Sequence, residues 1–225
     1  AELSARCLAA RQLPDKAVDV LDTACARVRI SRLTYVGELG WEIYVGADFA
    51  CHVFDVLTQA GADFGLRHGG YFAINSMRME KGYRHWGHDI GEEDTPLQAG
   101  LSFAVGWDKP DFRGRDALLR ARQTKPQTRR LIQLKLDVPD SPPLLYHEEP
   151  ILHDGVIVGS VTSGGYGHRV KASLGMGYIT HKDGVSAEFL RSGTFEVEVA
   201  CKRYPALVQF KGFYDPGNER IRSQQ

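Results

Sequence analysis

The chain has 225 residues, which is enough for one large domain or two small ones. Apolar residues make up 43% and charged residues 25%, close to the averages of globular proteins, so a disordered or collagen-like chain is excluded. Since 28 basic side chains balance 28 acidic ones, no long-range field favours nucleic acid as a partner. We also expect no membrane association, because there is neither an apolar run of about 18 residues nor a signal peptide.

The four cysteines, Cys7, Cys25, Cys51 and Cys201, are far apart and form no C-x-x-C pair. This spacing argues against a zinc site and against a disulfide framework. We therefore expect reduced and mostly buried thiols, which is consistent with the bacterial cytoplasm or the mitochondrial matrix.

The first predicted strands follow a helix-prone lead-in, residues 1 to 27. From Val28 the apolar positions lead into Tyr35, then a turn at residues 37–40, then the run Trp41 to Val45. Two extended runs around a glycine-containing turn are typical of a β-hairpin, and the turn is expected to be tight.

Two helices are predicted next. Asp48 is a candidate N-cap for a helix over residues 49–60 that Gly61 stops, and a second helix runs near Tyr71 to Lys81 and ends at Gly82. In the second helix the apolar side is expected from Phe72, Ile74, Met77 and Met79, and the polar side, with Arg78, Glu80 and Lys81, is expected to be solvated or paired.

The second half of the chain changes character. A third helix is predicted around residues 114–123 and a linker at residues 125–128. Short β-rich runs follow at residues 131–136, 156–161, 174–179, 195–199 and 206–210, each bounded by Gly, Pro or Asp, which predicts a small closed barrel. The fold class is therefore α+β, with a partial αβ domain over residues 1–122 and a β-barrel over residues 128–225.

Glu42 is the main candidate for ligand binding. In a hairpin, side chains alternate between faces, so Glu42 shares one face with Tyr44 while Trp41 and Ile43 take the other. A carboxylate at the rim of an apolar pocket can accept two N–H donors from a flat heterocycle such as a pterin or a pyrimidine. The alternative is that Glu42 is an ordinary solvent-facing residue of an edge strand.

Three other patterns have a chemical and a structural interpretation. His85, His88 and Asp89 could hold a metal, but flanking glycines favour a loop with ordinary histidines. The run GGYGHR at residues 164–169 could be a phosphate loop, but no Lys-Ser/Thr ending follows it, which favours a barrel turn. A hydrolase is not favoured, since no G-x-S-x-G motif occurs.

The run YVGELGWE at residues 35–42 resembles the Y-x-G-E-x-G-[aromatic or apolar]-E signature of the glycine cleavage T-protein (aminomethyltransferase) family. The resemblance implies that Glu42 holds the pterin ring of tetrahydrofolate and that Tyr35 lines the same pocket. It further implies one-carbon transfer from a small amine-derived donor to tetrahydrofolate, with transferase activity in one-carbon metabolism.

Further runs agree with this family in order and spacing. Residues 70–82, GYFAINSMRMEKG, resemble its G-x-x-A-R-D-x-L-R-x-E-x-G helix, and residues 94–101, DTPLQAGL, resemble its T-P-x-E-A-G-L stretch. The segment RMEKGYRHWG at residues 78–87 is similar to a segment in the C-terminal part of dimethylglycine and sarcosine dehydrogenases and of the pyruvate dehydrogenase phosphatase regulatory subunit. A larger flavoprotein or a glycine cleavage component is therefore an expected partner, and any FAD would belong to an upstream domain, because no flavin fingerprint is present here.

Two departures from the family pattern bear on activity. Ile74 stands where many T-proteins have a folate-contacting arginine, and Asn75 follows where aspartate is usual. The family's catalytic aspartate lies well upstream of the tyrosine signature, and Asp15, Asp19 and Asp22 are not in its expected context, so no catalytic residue is predicted in this chain. The alternative function is therefore a non-catalytic regulatory or assembly module that retains the fold.

Overall fold

The computed structural model describes residues 28–123 and 126–223. The predicted lead-in helix, Cys7, Cys25 and the three upstream aspartates lie outside these residues. Part of the predicted linker also lies outside the described residues. The proposed domain boundary stays a prediction.

The αβ region begins with two antiparallel strands, β1 (Val28–Ser31) and β2 (Glu42–Val45). Their register pairs Ile30 with Ile43 and Ser31 with Glu42. The hairpin is therefore present, but the expected tight turn at residues 37–40 is wrong: the whole segment 32–41 forms the connection. We call this segment the motif loop.

Helix α1 spans Ala47–Gly61 and continues into a 3-10 turn at Ala62–Phe64. Its N-cap is Gly46, and no side chain caps it, so the predicted capping role of Asp48, which lies inside the first turn, is wrong. Within the part of the chain that the structure describes, no residue of α1 is buried.

Helix α2 (Tyr71–Lys81) has the predicted bounds. It stops at Gly82, whose φ of 75° is in the left-handed region that glycine adopts without strain, and whose N–H donates to the carbonyls of Arg78 and Met79. The prediction of its buried face was largely wrong, because Phe72 is 90% exposed while Arg78 is only 2% exposed. The charged residues of the last turns are paired instead of solvated.

After α2, a loop with a 3-10 turn (Ser102–Ala104) leads to helix α3 (Arg115–Gln123). Six strands then close into an antiparallel barrel: β3 (Arg129–Leu136), β4 (Pro150–His153), β5 (Val156–Gly167), β6 (Ala172–Thr180), β7 (Phe195–Val199) and β8 (Lys202–Gln209). Their order around the barrel is β3-β6-β5-β4-β7-β8. The predicted α+β class and closed barrel are confirmed.

The sequence patterns missed some details of the barrel. Strand β4 was not predicted, and β5 extends through the glycine-rich run to Gly167. Two short helices, α4 (Ala187–Arg191) and α5 (Glu219–Ser223), lie where only strands and loops were expected. Cys51 and Cys201 are free but exposed, so the expectation of buried thiols is wrong for these two.

The barrel has two apolar clusters. Inward-facing side chains, including Ile132, Leu134 and Ile151, fill the interior and are fully buried. On the outer side of β6, Leu174, Met176 and Tyr178 pack with Leu131 of β3 and Met79 of α2. β6 is therefore buried on both faces, and α2 is fixed to the barrel wall.

Each helix within residues 28–123 and 126–223 is too short or too polar to span a lipid bilayer.

Candidate functional site

The motif loop packs against the segment that follows α2. The hydroxyl of Tyr35 donates to the carbonyl of Arg84 at 3.2 Å, and its ring stacks on Tyr83 with 6.2 Å between the ring centroids. Gly37, at φ 78°, lies so close to Lys81 that an added Cβ would come within 2.6 Å of its Cδ. The glycine of the motif thus permits a close approach of the loop backbone to α2.

Glu38 of the same loop binds the segment after β8. Its Oε1 accepts a hydrogen bond from the Tyr214 hydroxyl at 2.7 Å, and its carboxylate lies 3.6 Å from Arg169 and 3.5 Å from Arg220. Glu38 therefore links the motif loop to segments that adjoin the barrel, and this contact helps to fix the position of the loop that carries Tyr35.

Tyr35 borders a cleft between α2 and strand β5. The main cavity of this cleft is about 210 Å³ and its side cavity, which Tyr35 lines, about 60 Å³. We call the two together the α2 cleft, since both are lined by the same four residues: Tyr71, Asn75, Arg78 and His85. The barrel side of the main cavity is formed by Tyr146, His147 and residues 162–164.

Arg78 is the buried cation of the α2 cleft. Its Nη1 pairs with Asp89 Oδ2 at 2.6 Å, and the two side chains are 2% and 0% exposed. Its Nε donates to Asn75 Oδ1 at 2.8 Å and its Nη2 to Ser163 Oγ at 3.0 Å. With these partners the guanidinium is neutralised and oriented, so it forms a rigid wall of the cleft.

Asp89 is equally engaged. Besides Arg78, its carboxylate accepts the backbone N–H of His85 at 2.8 Å and the hydroxyl of Thr162 at 2.6 Å. These bonds join the loop after α2 to strand β5. Within the described residues, no group of three His, Cys, Asp or Glu side chains is placed to hold a metal ion.

Two titratable groups at the cleft, His85 and Tyr35, have shifted pKa values. Burial, together with the nearby His88 and Arg78, lowers the pKa of His85 below its usual value of 6.5. Burial also raises the pKa of Tyr35. The cleft therefore presents a neutral imidazole and a protonated phenol beside a guanidinium whose charge is already balanced.

Glu42 lies outside the α2 cleft. It is the first residue of β2, its side chain is exposed, and its Oε2 accepts a hydrogen bond from the hydroxyl of Tyr44, which raises the Tyr44 pKa. The two side chains are on one face of the strand, in agreement with the predicted alternation. The structure thus brings Tyr35, but not Glu42, to the cleft.

The two departures from the family helix have clear positions. Ile74 lines the side cavity together with Tyr35 and supplies an apolar surface there. Asn75 orients Arg78 through its side-chain oxygen. Neither residue provides a positive charge.

Glu80 has a role that sequence reasoning missed. Its buried Oε1 accepts the backbone N–H groups of Arg169 at 2.6 Å and Val170 at 2.9 Å. Arg169 ends the run that could have been a phosphate loop and Val170 follows it, so a carboxylate of the chain itself accepts the N–H groups that a bound anion would use. No local sequence pattern indicates this contact, since 89 residues separate Glu80 from Arg169.

Two family models match the chain in succession. The GCVT N-terminal domain matches residues 2–109, and the glycine cleavage T-protein C-terminal barrel domain matches residues 129–215.

Similar full-length proteins are longer than this chain. The 4-methylaminobutanoate oxidase (formaldehyde-forming) of Paenarthrobacter nicotinovorans is 41% identical over 95% of the chain and 25% of its own length. The mitochondrial sarcosine dehydrogenase of Mus musculus is 38% identical over 87% of the chain and 21% of its own length. The chain thus spans a quarter or less of these two relatives.

The crystal structure of the glycine cleavage system aminomethyltransferase T from Bartonella henselae has the same fold. Its TM-score is 0.72 at 24% identity, over 90% of this chain and 58% of the other.

Proposed function

Because this chain belongs to the glycine cleavage T-protein (aminomethyltransferase) family, we propose that it forms one wall of a tetrahydrofolate site in a one-carbon transfer enzyme. The similarity to a 4-methylaminobutanoate oxidase and a sarcosine dehydrogenase supports the dehydrogenase branch, in which a flavin domain is expected to precede this region. The Bartonella fold is consistent with either branch. The proposed compartment is the bacterial cytoplasm or the mitochondrial matrix.

The size of the α2 cleft fits a part of such a ligand. Sites that enclose a drug-sized molecule measure about 300–1,000 Å³. The cavities of about 210 and 60 Å³ are smaller. The described residues therefore fit one end of the folate, with the remainder contacted by other parts of the complete protein.

The single observation that carries the proposal is the fixed position of Tyr35. Its hydroxyl is bound to the Arg84 carbonyl and its ring stacks on Tyr83, so the phenol is held at the cleft before any ligand enters. A preorganised aromatic side chain can pack against a flat ring with little loss of conformational entropy.

Glu42 is proposed to bind the pterin edge from the other end of the motif loop. Its carboxylate has two acceptor oxygens, and the Tyr44 hydroxyl bonds to one of them. Tetrahydrofolate, when bound, supplies the nitrogens that accept the one-carbon unit. The chain's own contribution is to hold and orient this cofactor, since proximity dominates a transfer between two bound molecules.

The proposal is tested by titrating folinic acid into the wild type and into Glu42→Ala by isothermal calorimetry. Loss of a charge-assisted bidentate contact should cost about 2–3 kcal/mol, a factor of tens to hundreds in affinity. Glu93→Ala removes a carboxylate from an exposed loop and should bind like the wild type. Undetectable heat from all three proteins would rule out the folate site, and equal affinity of wild type and Glu42→Ala would rule out the role of Glu42.

A non-catalytic regulatory or assembly module is the second candidate, and the surroundings of Ile74 favour it. Arg78, the nearest cation on α2, is fully engaged by Asp89, Asn75 and Ser163, so it cannot replace the arginine that is absent at position 74. Co-purification with a larger flavoprotein or dehydrogenase, without folinic acid binding, would select this function. Stronger folinic acid binding by Ile74→Arg than by the wild type would select the folate site.

A further inference from the structure

A second cavity lies where α3 meets the barrel, away from the α2 cleft. It measures about 520 Å³, and its walls include Leu97 and Ser102, Arg122 near the end of α3, Arg130 of β3, the start of α4 and Phe210. We call it the α3 cavity. It shares none of its lining residues with the α2 cleft.

Two arginines line the α3 cavity, and each lies over an aromatic ring. The guanidinium of Arg122 is 4.5 Å from the ring centroid of Trp107, and that of Arg130 is 3.8 Å from that of Phe210. In the part of the chain that the structure describes, neither has a carboxylate partner. The neighbouring Arg129, in contrast, pairs with Asp94 at 2.7 Å.

Arg130 also has an unused hydrogen-bond donor. Its Nε is buried and has no acceptor among the described residues. Burial also lowers the pKa of Arg130, which reflects the cost of keeping its charge away from water. Buried donors are nearly always paired in folded proteins, so we expect a hydrogen-bond acceptor next to the Nε of Arg130.

The walls of the cavity are fixed by backbone hydrogen bonds. The N–H of Leu131 donates to the carbonyl of Gln98 at 2.9 Å, which holds the loop that carries Leu97 on strand β3. On the opposite side, the N–H of Val185 donates to the carbonyl of Gln127 at 2.8 Å. The cavity is therefore preformed, as ligand sites usually are.

We propose that the α3 cavity binds a small dianion, a polycarboxylate or a phosphate ester, between Arg122 and Arg130. Two uncompensated guanidinium groups match two negative charges, and each can contact a carboxylate or a phosphate through two parallel N–H bonds. The apolar wall at Leu97 and Phe210 would accommodate the body of the molecule. This site does not depend on the proposed folate site.

The test uses glycerol 3-phosphate, a phosphate ester, and succinate, a dicarboxylate, as separate probes, so that the phosphate and carboxylate chemistries are distinguished. Each is titrated into the protein at low salt, with calorimetry and tryptophan fluorescence as readouts, since Trp107 lies under Arg122. The variants are Arg122→Gln and Arg130→Gln. Arg120→Gln is the matched control, because it removes an exposed arginine from the same helix outside the cavity.

Saturable binding of one probe by the wild type and by Arg120→Gln, weakened about tenfold or more in Arg122→Gln and Arg130→Gln, is the expected result. Affinity should also fall as salt is added, because the contact is ionic. The proposal is overturned if the wild type binds neither probe, or if Arg122→Gln binds as tightly as Arg120→Gln. The exposed Arg122 keeps the test decisive even if Arg130→Gln does not fold.

Discussion

The barrel and the αβ region differ in what covers their apolar side chains. Inside the barrel, Ile132, Leu134 and Ile151 are all at 0% exposure, while Phe64 and Phe72 of the αβ region are at 80% and 90%. The barrel thus has a complete core of its own. The αβ region is positioned by its attachment to the barrel.

That attachment is made largely by charged residues. Arg78, Glu80 and Lys81 of α2 are all buried, and each finds its partner in a distant segment. Arg78 pairs with Asp89 and Ser163, and Lys81 pairs with Asp215 at 2.8 Å. The barrel is therefore stabilised by apolar packing, whereas the wall of the candidate site is stabilised by ion pairs and hydrogen bonds.

The largest effect is expected from breaking the buried ion pair. Asp89→Asn leaves the Arg78 guanidinium buried without its counter-charge, which should lower the free energy of unfolding by about 3–5 kcal/mol. Urea unfolding measures this loss.

Asp94→Asn is the control for that experiment. It breaks the pair with Arg129, in which the side chains of Arg129 and Asp94 are 39% and 14% exposed, so its cost should be smaller, about 1 kcal/mol. If the two variants lose equal stability, the buried pair of Arg78 and Asp89 contributes no more to the free energy of unfolding than the more exposed pair does.

The next effect separates the two regions directly. Leu134→Ala removes a fully buried side chain from the barrel core and should cost about 2–5 kcal/mol. Phe72→Ala removes a larger side chain that is 90% exposed and should change the free energy of unfolding by less than about 0.5 kcal/mol. A comparable loss in both variants, measured by urea unfolding, would show that something covers Phe72 in solution.

Much of the barrel follows from local sequence. Short β-rich runs bounded by Gly, Pro or Asp predicted β3, β6 and β7 well. Strand β4 was missed because it has only four residues and begins with Pro150, and proline within a run argues against a strand. The end of α2 was predicted because Gly82 is a strong stop signal, whatever the rest of the protein does.

The site wall could not be predicted in the same way. Apolar periodicity assigned Phe72 and Ile74 to the buried side of α2, but the packed side is decided by partners far away in sequence. Ser163 is 85 residues from Arg78, and Tyr214 is 176 residues from Glu38. Long-range pairs of this kind leave no periodic signal, so Tyr35 could be assigned to a ligand site only through a family motif, and the binding roles of Tyr35 and Glu42 remain predictions.

A smaller loss is expected at the contact between α2 and the turn that follows β5. Glu80→Gln keeps the shape of the side chain but replaces charge-assisted bonds to the N–H groups of Arg169 and Val170 with neutral ones. The free energy of unfolding should fall by about 1.5–3 kcal/mol, as measured in urea. Glu93→Gln, on an exposed loop, is the matched control and should have no measurable effect. Equal stability of Glu80→Gln and the wild type would mean that a neutral amide oxygen satisfies these N–H groups as well as the carboxylate does.

The last prediction concerns pH and the pair of Lys81 with Asp215. The hydrogen bond from Lys81 holds the pKa of Asp215 below its usual value of 3.8, and the backbone N–H groups of Glu219 and Arg220 add to this. A carboxylate with a lowered folded-state pKa contributes stability that is fully present above 3.8 and is lost as the pH falls through the folded-state value. Unfolding of the wild type and of Asp215→Asn should therefore differ most near neutral pH and converge in acid. Asp140→Asn, which removes an exposed carboxylate of the β3–β4 loop, serves as the control for loss of one charge. A difference between wild type and Asp215→Asn that stays constant from neutral pH into acid would contradict the ionic contribution of this pair.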